Sequence, residues 1–183
     1  MRTEHDFLGE LQLPDEAYYG VQTLRAVSNF PITGHKLNPD FIVALATVKK
    51  AAAKANMRTG RMPAHIGEAI VKSAEEIING KLHDQFVVDC IQGGAGTSMN
   101  MNTNEVIANR AIEILGGEKG NYKLVSPNND VNMAQSTNDA LPTAIRVATV
   151  KKAEDLIAAF LALAETLDSK SKEFRDVIKM GRT

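Results

Sequence analysis

Long stretches of the chain place apolar residues with the period of an α-helix. The clearest case follows Asn38, where a capping side chain, a proline at the first helical position and an acidic residue stand in succession. Apolar residues then recur at spacings of three and four on one helical face: Phe41, Leu45, Val48, Ala52 and Ala55. The pattern predicts an amphipathic helix from Pro39 to Gly60, with Lys49 and Lys50 on its solvated face.

Three more helical patterns follow along the chain. One runs from Pro63 to an Asn-Gly stop at Gly80, and another begins at Thr97 and ends at a glycine pair starting with Gly116. The last begins near Asn138 and keeps one apolar seam over about seven turns. The residues of this seam are Leu141, Ile145, Ala148, Leu156, Phe160, Leu163 and Leu167.

The first part of the chain has a different pattern. Residues 1–37 are interrupted by Gly and Pro, which predicts extended segments and turns, with a short helix within residues 15–29. The expected fold is therefore mainly α-helical. We expect an N-terminal helical domain of residues 1–135, followed by residues 136–183 as the start of a bundle of long helices.

Composition narrows the class of protein. Hydrophobic residues make up 44% of the 183 residues, charged residues 23%, and the formal net charge is −1. These values are typical of soluble globular proteins and argue against a basic nucleic-acid binder. No apolar run is long enough to span a membrane, and residues 1–6 are mostly polar and lack the apolar core of a signal peptide. The single cysteine, Cys90, suits a reducing compartment. We expect a cytoplasmic protein that binds neither nucleic acid nor membrane, and the four scattered histidines predict no metal site.

A glycine-rich segment, residues 93–96, precedes the helix that begins at Thr97. Its backbone can approach another group closely, and a helix start attracts anions through unpartnered N–H groups. Asparagines follow at positions 100, 102, 104 and 109. Because Asn forms helices poorly, we expect these amides to bond one another or a polar ligand. The simpler alternative is a glycine-rich turn before a polar helix face. A dinucleotide-binding site or a P-loop is excluded, because no suitable strand pattern precedes the glycines and no Gly-Lys-Ser/Thr follows them.

A second polar cluster stands at the start of the last helix. Ser136, Thr137 and Asn138 offer three short hydroxyl or amide side chains, and Pro142 fits the beginning of a helix. Neutral donors at a helix start suit a carboxylate that gains negative charge during a reaction. The alternative is an ordinary N-cap, which needs only one of the three.

Both polar segments resemble signatures of the aspartase/fumarase superfamily. GGAGTSMNMNTNEV at residues 93–106 resembles its first substrate-contact region, QSTNDA at residues 135–140 the second, and KMGRT at residues 179–183 the opening of the third. Other similar stretches are residues 17–26, 29–34 and 84–89. The resemblance thus runs through the whole chain in order. GGAGTS and Thr137 are similar to superfamily members that deaminate L-aspartate, whereas class II fumarases usually carry serine at the latter position.

The resemblance implies reversible conversion of L-aspartate into fumarate and ammonia, without a cofactor. A base removes a Cβ proton, the adjacent carboxylate takes up charge as an enediolate, and ammonia leaves. By family position, Thr97, Ser136 and Thr137 would hold the side-chain carboxylate, and Asn138 and Thr183 would contact the amino and α-carboxylate end. No catalytic base is expected in this chain, because the serine loop that supplies it in the family matches none of these residues.

The resemblance also implies an assembly, a homotetramer whose active site is built from three subunits around a central helical bundle. Since 183 residues make less than half of such an enzyme, we expect an N-terminal fragment that is inactive alone. Two alternatives stay open. One is a fumarase-like hydratase that interconverts malate and fumarate, and the other is a non-catalytic helical module that oligomerises.

Overall fold

Helices dominate the chain, as the sequence predicts. The computed structural model describes residues 1–92 and 94–182, and contacts divide the chain into a unit Met1–Ala148 and a second unit that begins at Thr149. The elements are β1 Arg2–Asp6, β2 Gly9–Leu13, α1 Val21–Asn29, α2 Pro39–Arg58, α3 Ala64–Ile78, α4 Thr97–Ile114 and α5 Thr137–Glu173. The mainly α fold is confirmed, with one small two-stranded sheet beside the helices.

The N-terminal hairpin accounts for the extended segments expected at the start of the chain. Strands β1 and β2 pair antiparallel, with Arg2 opposite Leu13 and Asp6 opposite Gly9. After the hairpin, α1 begins at Val21 without a capping side chain of its own. Its cap comes from α4 instead: the buried carboxylate of Glu105 accepts the backbone N–H groups of Gly20, Gln22 and Thr23. The first helix is thereby tied to the middle of the fold.

The start of α2 confirms the prediction made from its capping residues, because the Asn38 side chain accepts the N–H of Asp40 at 2.9 Å. The predicted apolar stripe is confirmed in part: Leu45 is fully buried and Phe41 and Val48 pack against the core, whereas Ala55 is exposed. The buried positions are Ile42, Ala44, Leu45, Ala46, Lys49, Ala53 and Asn56. Two of these are polar, so apolar periodicity does not reveal the whole buried face. Lys49 is therefore not solvated, contrary to expectation.

Helices α2, α3 and α4 enclose the core of the first unit. Its largest fully buried apolar side chains include Leu45, Ile70, Ile77, Phe86, Ile107 and Ile112. Burial of this kind contributes more to the stability of amphipathic helices than their intrinsic helix propensity does. None of the helices described is long and apolar enough to cross a membrane.

Helix α5 extends over 37 residues, which confirms the long final helix. In the first unit it buries Ala140, Leu141 and Ala144. In the second unit its large apolar side chains are exposed: Val150, Leu156, Ile157, Phe160, Leu161, Leu163 and Leu167. The division into domains 1–135 and 136–183 stays a prediction.

Candidate functional site

The predicted substrate-binding side chains lie at two helix starts. Thr97 is the first residue of α4, whereas Ser136 directly precedes α5 and Thr137 and Asn138 open it. Thr97, Ser136 and Asn138 are exposed, and Thr137 is half-buried. Thr183, the fifth predicted residue, and Gly93 of the glycine-rich segment lie outside the described residues.

Two contacts bring the helix starts together. The Asn100 amide donates a hydrogen bond from Nδ2 to Thr137 Oγ1 at 3.0 Å. Gly96, with a left-handed φ of 86°, packs directly against the side chain of Leu141, and a Cβ at this position would overlap it. The glycine is therefore required twice, for its backbone conformation and for the close approach of α4 to α5. Segments forty residues apart in sequence are thereby held next to each other.

The hydroxyl groups of Ser136 and Thr137 each accept a hydrogen bond from a neighbouring N–H. Ser136 Oγ accepts the Asn138 N–H at 3.2 Å, and Thr137 Oγ1 accepts the Asn100 amide. The N-cap interpretation thus holds for Ser136. Since a hydroxyl can accept and donate at once, both groups retain a hydrogen that can be donated to a ligand.

The start of α4 differs from the open anion site that the sequence predicts. Gln92 Oε1 accepts the N–H of Ser98 at 2.7 Å and that of Met99 at 3.2 Å. Because Gly96 has no side chain to cap the helix, a glutamine four residues earlier does so. The hydroxyl of Thr97 is therefore a better ligand donor than the Ser98 and Met99 amides. Gln92 was not predicted as a capping residue, because a cap across a loop leaves no local signature in the sequence.

The asparagines of α4 are all buried, but the expectation that their amides bond one another is wrong, because none of the described hydrogen bonds joins two of the four. Asn100 and Asn104 both donate to Asn132 Oδ1, at 3.0 and 3.4 Å, whereas Asn102 and Asn109 bond mainly to backbone groups. The side-chain oxygens of Asn100 and Asn104 are buried without a donor among the described residues. The buried cluster of Asn100, Asn104 and Asn132, which contacts Thr137 through Asn100, is thus rich in amide oxygens.

Lys49 reaches this cluster from α2. Its Nζ donates to Asn132 Oδ1 at 2.9 Å and to Gln135 Oε1 at 3.0 Å, and its side chain is 0% exposed. Burial without a carboxylate partner lowers the pKa of Lys49 to about 7. The amine therefore contacts the turn that immediately precedes Ser136 and Thr137. Within residues 1–92 and 94–182, no three His, Cys, Asp or Glu side chains converge in the way that a metal ion requires.

Replacing Gly96 by alanine tests the close approach of the two helix starts. We expect Gly96→Ala to lower the free energy of unfolding by about 2–3 kcal/mol, from an unfavourable φ and from overlap with Leu141. The matched control is Gly60→Ala, which has a φ of 72° but open space around its Cβ and is expected to cost about 1 kcal/mol. Urea unfolding of the two variants measures the difference. Equal losses would contradict the packing against Leu141.

Comparison with known proteins agrees with this architecture. A family model described as lyase matches residues 9–183. An aspartate ammonia-lyase of Bacillus subtilis is 59% identical over 182 residues, which cover 100% of this chain and 38% of that protein. An aspartate ammonia-lyase of Bacillus sp is 56% identical and is covered to 39% by the whole of this chain.

Solved structures show the same fold. A fumarate lyase:delta crystallin of Brucella melitensis has a TM-score of 0.92 and 51% identity, and the match covers 100% of this chain and 42% of that one. The class II fumarase of Schistosoma mansoni has a TM-score of 0.87 and 36% identity, with coverage of 100% and 39%. The chain belongs to the lyase family, in the aspartase/fumarase superfamily. It spans about two fifths of the length of these relatives.

Proposed function

We propose that the chain forms the part of an ammonia-lyase that binds the side-chain carboxylate of L-aspartate, in an enzyme that converts L-aspartate reversibly into fumarate and ammonia. The observation that carries this proposal is the pair of hydroxyl groups of Ser136 and Thr137. Each accepts an amide N–H and keeps its own hydrogen for donation. Two such donors at one helix start suit a carboxylate, and Thr97 on the adjoining helix supplies a third.

The proposed chemistry makes that carboxylate the place where charge develops. Removal of a proton from Cβ leaves an electron pair that moves into the carboxylate, which becomes a dianionic enediolate. The pair then returns to form the Cα–Cβ double bond as the C–N bond breaks and ammonia leaves. Preorganised neutral donors stabilise the enediolate more than the substrate, which is what lowers the barrier. No cofactor takes part in this scheme.

The other parts of the site are assigned by family position. Asn138 and Thr183 would contact the amino and α-carboxylate end of the substrate, and the base that accepts the Cβ proton would come from a serine loop outside these 183 residues. An exposed Asn138 at the start of α5 is compatible with such a contact. We therefore expect no turnover from the 183-residue chain alone.

The proposed enzyme is a homotetramer in which residues 136–183 begin a central helical bundle, following a domain of residues 1–135. The exposed apolar side chains of the second unit support this assembly, because a row of leucine and phenylalanine residues on a helix requires other helices to cover it. Leu156, Phe160, Leu163 and Leu167 follow the spacing of one helical face.

The proposal is tested with a chimera in which this chain replaces the 182 matching residues of the Bacillus subtilis relative. Formation of fumarate from L-aspartate is followed by absorbance, with L-malate as the alternative substrate. We expect turnover of L-aspartate by the chimera and none by the chain alone. Turnover of L-malate in its place would indicate a hydratase, for which the likeness to a class II fumarase is the supporting observation. A folded chimera without either activity would indicate the non-catalytic module.

Removing the Thr137 hydroxyl is expected to impair the chimera. We expect Thr137→Val to lower kcat/KM for L-aspartate about 10- to 100-fold, since a hydrogen bond to a charged group contributes about 1.5–3 kcal/mol. Thr137→Ser retains the hydroxyl and is expected to stay within a few-fold of the parent. The control is Thr47→Val, an exposed threonine on α2. Equal rates for Thr137→Val and the control would exclude Thr137 as a substrate ligand.

A further inference from the structure

The burial of Lys49 calls for an explanation beyond stability. Its partners among the described residues, Asn132 and Gln135, are both neutral amides, and no carboxylate there pairs with it. Moving an amine into such a place costs free energy that two amide oxygens only partly offset. Methionine fills a similar volume at a core position without that cost. A residue that weakens the fold where an apolar one would strengthen it is a candidate for a functional role.

The contacts of Lys49 show what the amine holds. Asn132 and Gln135 belong to the turn that leads directly to Ser136, and Asn132 Nδ2 donates to the backbone oxygen of Gln135 at 3.1 Å. Asn132 Oδ1, which accepts the amine, also accepts Asn100, the residue that donates to Thr137 Oγ1. The amine therefore connects α2 to Gln135, which directly precedes Ser136, and through Asn132 and Asn100 to the hydroxyl of Thr137.

We propose that Lys49 is a positioning residue for substrate binding, which holds the turn of residues 132–135 so that Ser136 and Thr137 direct their hydroxyl groups at the carboxylate. This inference rests on the proposed function. Lys49 acts through Asn132 and Gln135, because its amine already donates to both and is shielded from solvent. Displacement of the turn by a fraction of an ångström misaligns the donors and weakens their interaction with the enediolate.

The kinetic test is Lys49→Met in the chimera with the Bacillus subtilis relative. We expect kcat for L-aspartate to fall at least tenfold per folded enzyme, while the melting temperature stays equal or rises. The matched control is Lys50→Met, the neighbouring lysine, which is partly exposed and pairs with Glu75 at 2.8 Å, and it should remain within twofold. If Lys49 were merely structural, Lys49→Met would lower the melting temperature and leave kcat unchanged, and that result would overturn the inference.

A second measurement separates this inference from the proposed function. In the 183-residue chain, backbone amide resonances of Ser136, Thr137 and Asn138 should shift in Lys49→Met and stay in place in Lys50→Met. If the parent chimera does not act on L-aspartate, the proposed function fails, and these resonances still report whether Lys49 positions the segment. Unmoved resonances would overturn the positioning role whatever the activity.

A further variant covers the case in which Lys49→Met does not fold. Gln135→Met removes a partner of the amine from the opposite side of the contact and leaves Lys49 bonded to Asn132. We expect the same loss of kcat and the same three shifted resonances. An unchanged kcat in folded Gln135→Met would contradict the inference.

Discussion

Replacement of Glu105 by alanine is expected to lower the free energy of unfolding by about 3–5 kcal/mol. Glu105 is 1% exposed, and its carboxylate accepts the N–H groups of Gly20, Gln22 and Thr23 at 2.8, 3.0 and 3.0 Å. These are unpaired donors at the start of α1, which has no capping side chain of its own. Alanine leaves all three without an acceptor and opens a cavity in the same place.

Urea unfolding followed by circular dichroism measures this loss. Glu68→Ala is the matched control, because Glu68 is an exposed glutamate on α3, and it is expected to change stability by no more than about 0.5 kcal/mol. Glu105→Gln keeps the shape but turns one acceptor into a donor, so its loss should lie between the two. A Glu105→Ala variant as stable as Glu68→Ala would show that α1 does not depend on this carboxylate.

The parent chain should gain stability relative to Lys49→Met as the pH rises from about 7 to about 10, by up to about 4 kcal/mol. Burial lowers the pKa of Lys49 from 10.5 in the unfolded chain to about 7. In that interval the unfolded chain binds a proton that the folded chain does not. The free energy of unfolding therefore rises with pH by up to about 1.4 kcal/mol per unit. Below the interval both states are protonated, and the cost of burial is at its largest.

Unfolding curves of parent, Lys49→Met and Lys50→Met at both ends of this interval test the sign as well as the size. Other groups titrate in the same range, but they are common to all three proteins and cancel in the difference. We expect Lys50→Met to follow the parent and Lys49→Met to lose the pH dependence. Parallel curves for the parent and Lys49→Met would mean that the amine keeps its ordinary pKa in the folded chain.

The features that were predictable from sequence depend on near neighbours in the chain. The start of α2 follows from Asn38 and the residues next to it, and the end of α3 from its Asn-Gly stop. The segments that carry Thr97 and Ser136 stood out because they break the rules for ordinary helices. The family then supplied roles that no local pattern contains.

The features that escaped prediction depend on contacts between distant residues. Lys49 reads as a surface lysine because periodicity counts apolar side chains, and the amide cluster that receives it is 83 residues away at Asn132. Gln92 caps α4 across a glycine loop, and Glu105 caps α1 from another helix. In each case the partner of a polar group is chosen by tertiary structure.

Asn132 Oδ1 limits how the residues around it can vary in evolution. It accepts hydrogen bonds from Lys49, Asn100 and Asn104, which come from two helices. Exchange of any one of the three donors alters the geometry available to the other two. Positions 49, 100, 104 and 132 are therefore expected to vary together. A homologue that replaces one of these four residues is expected to have replaced the others as well. Substitutions that lie far apart in the sequence would then be a single coordinated change in structure.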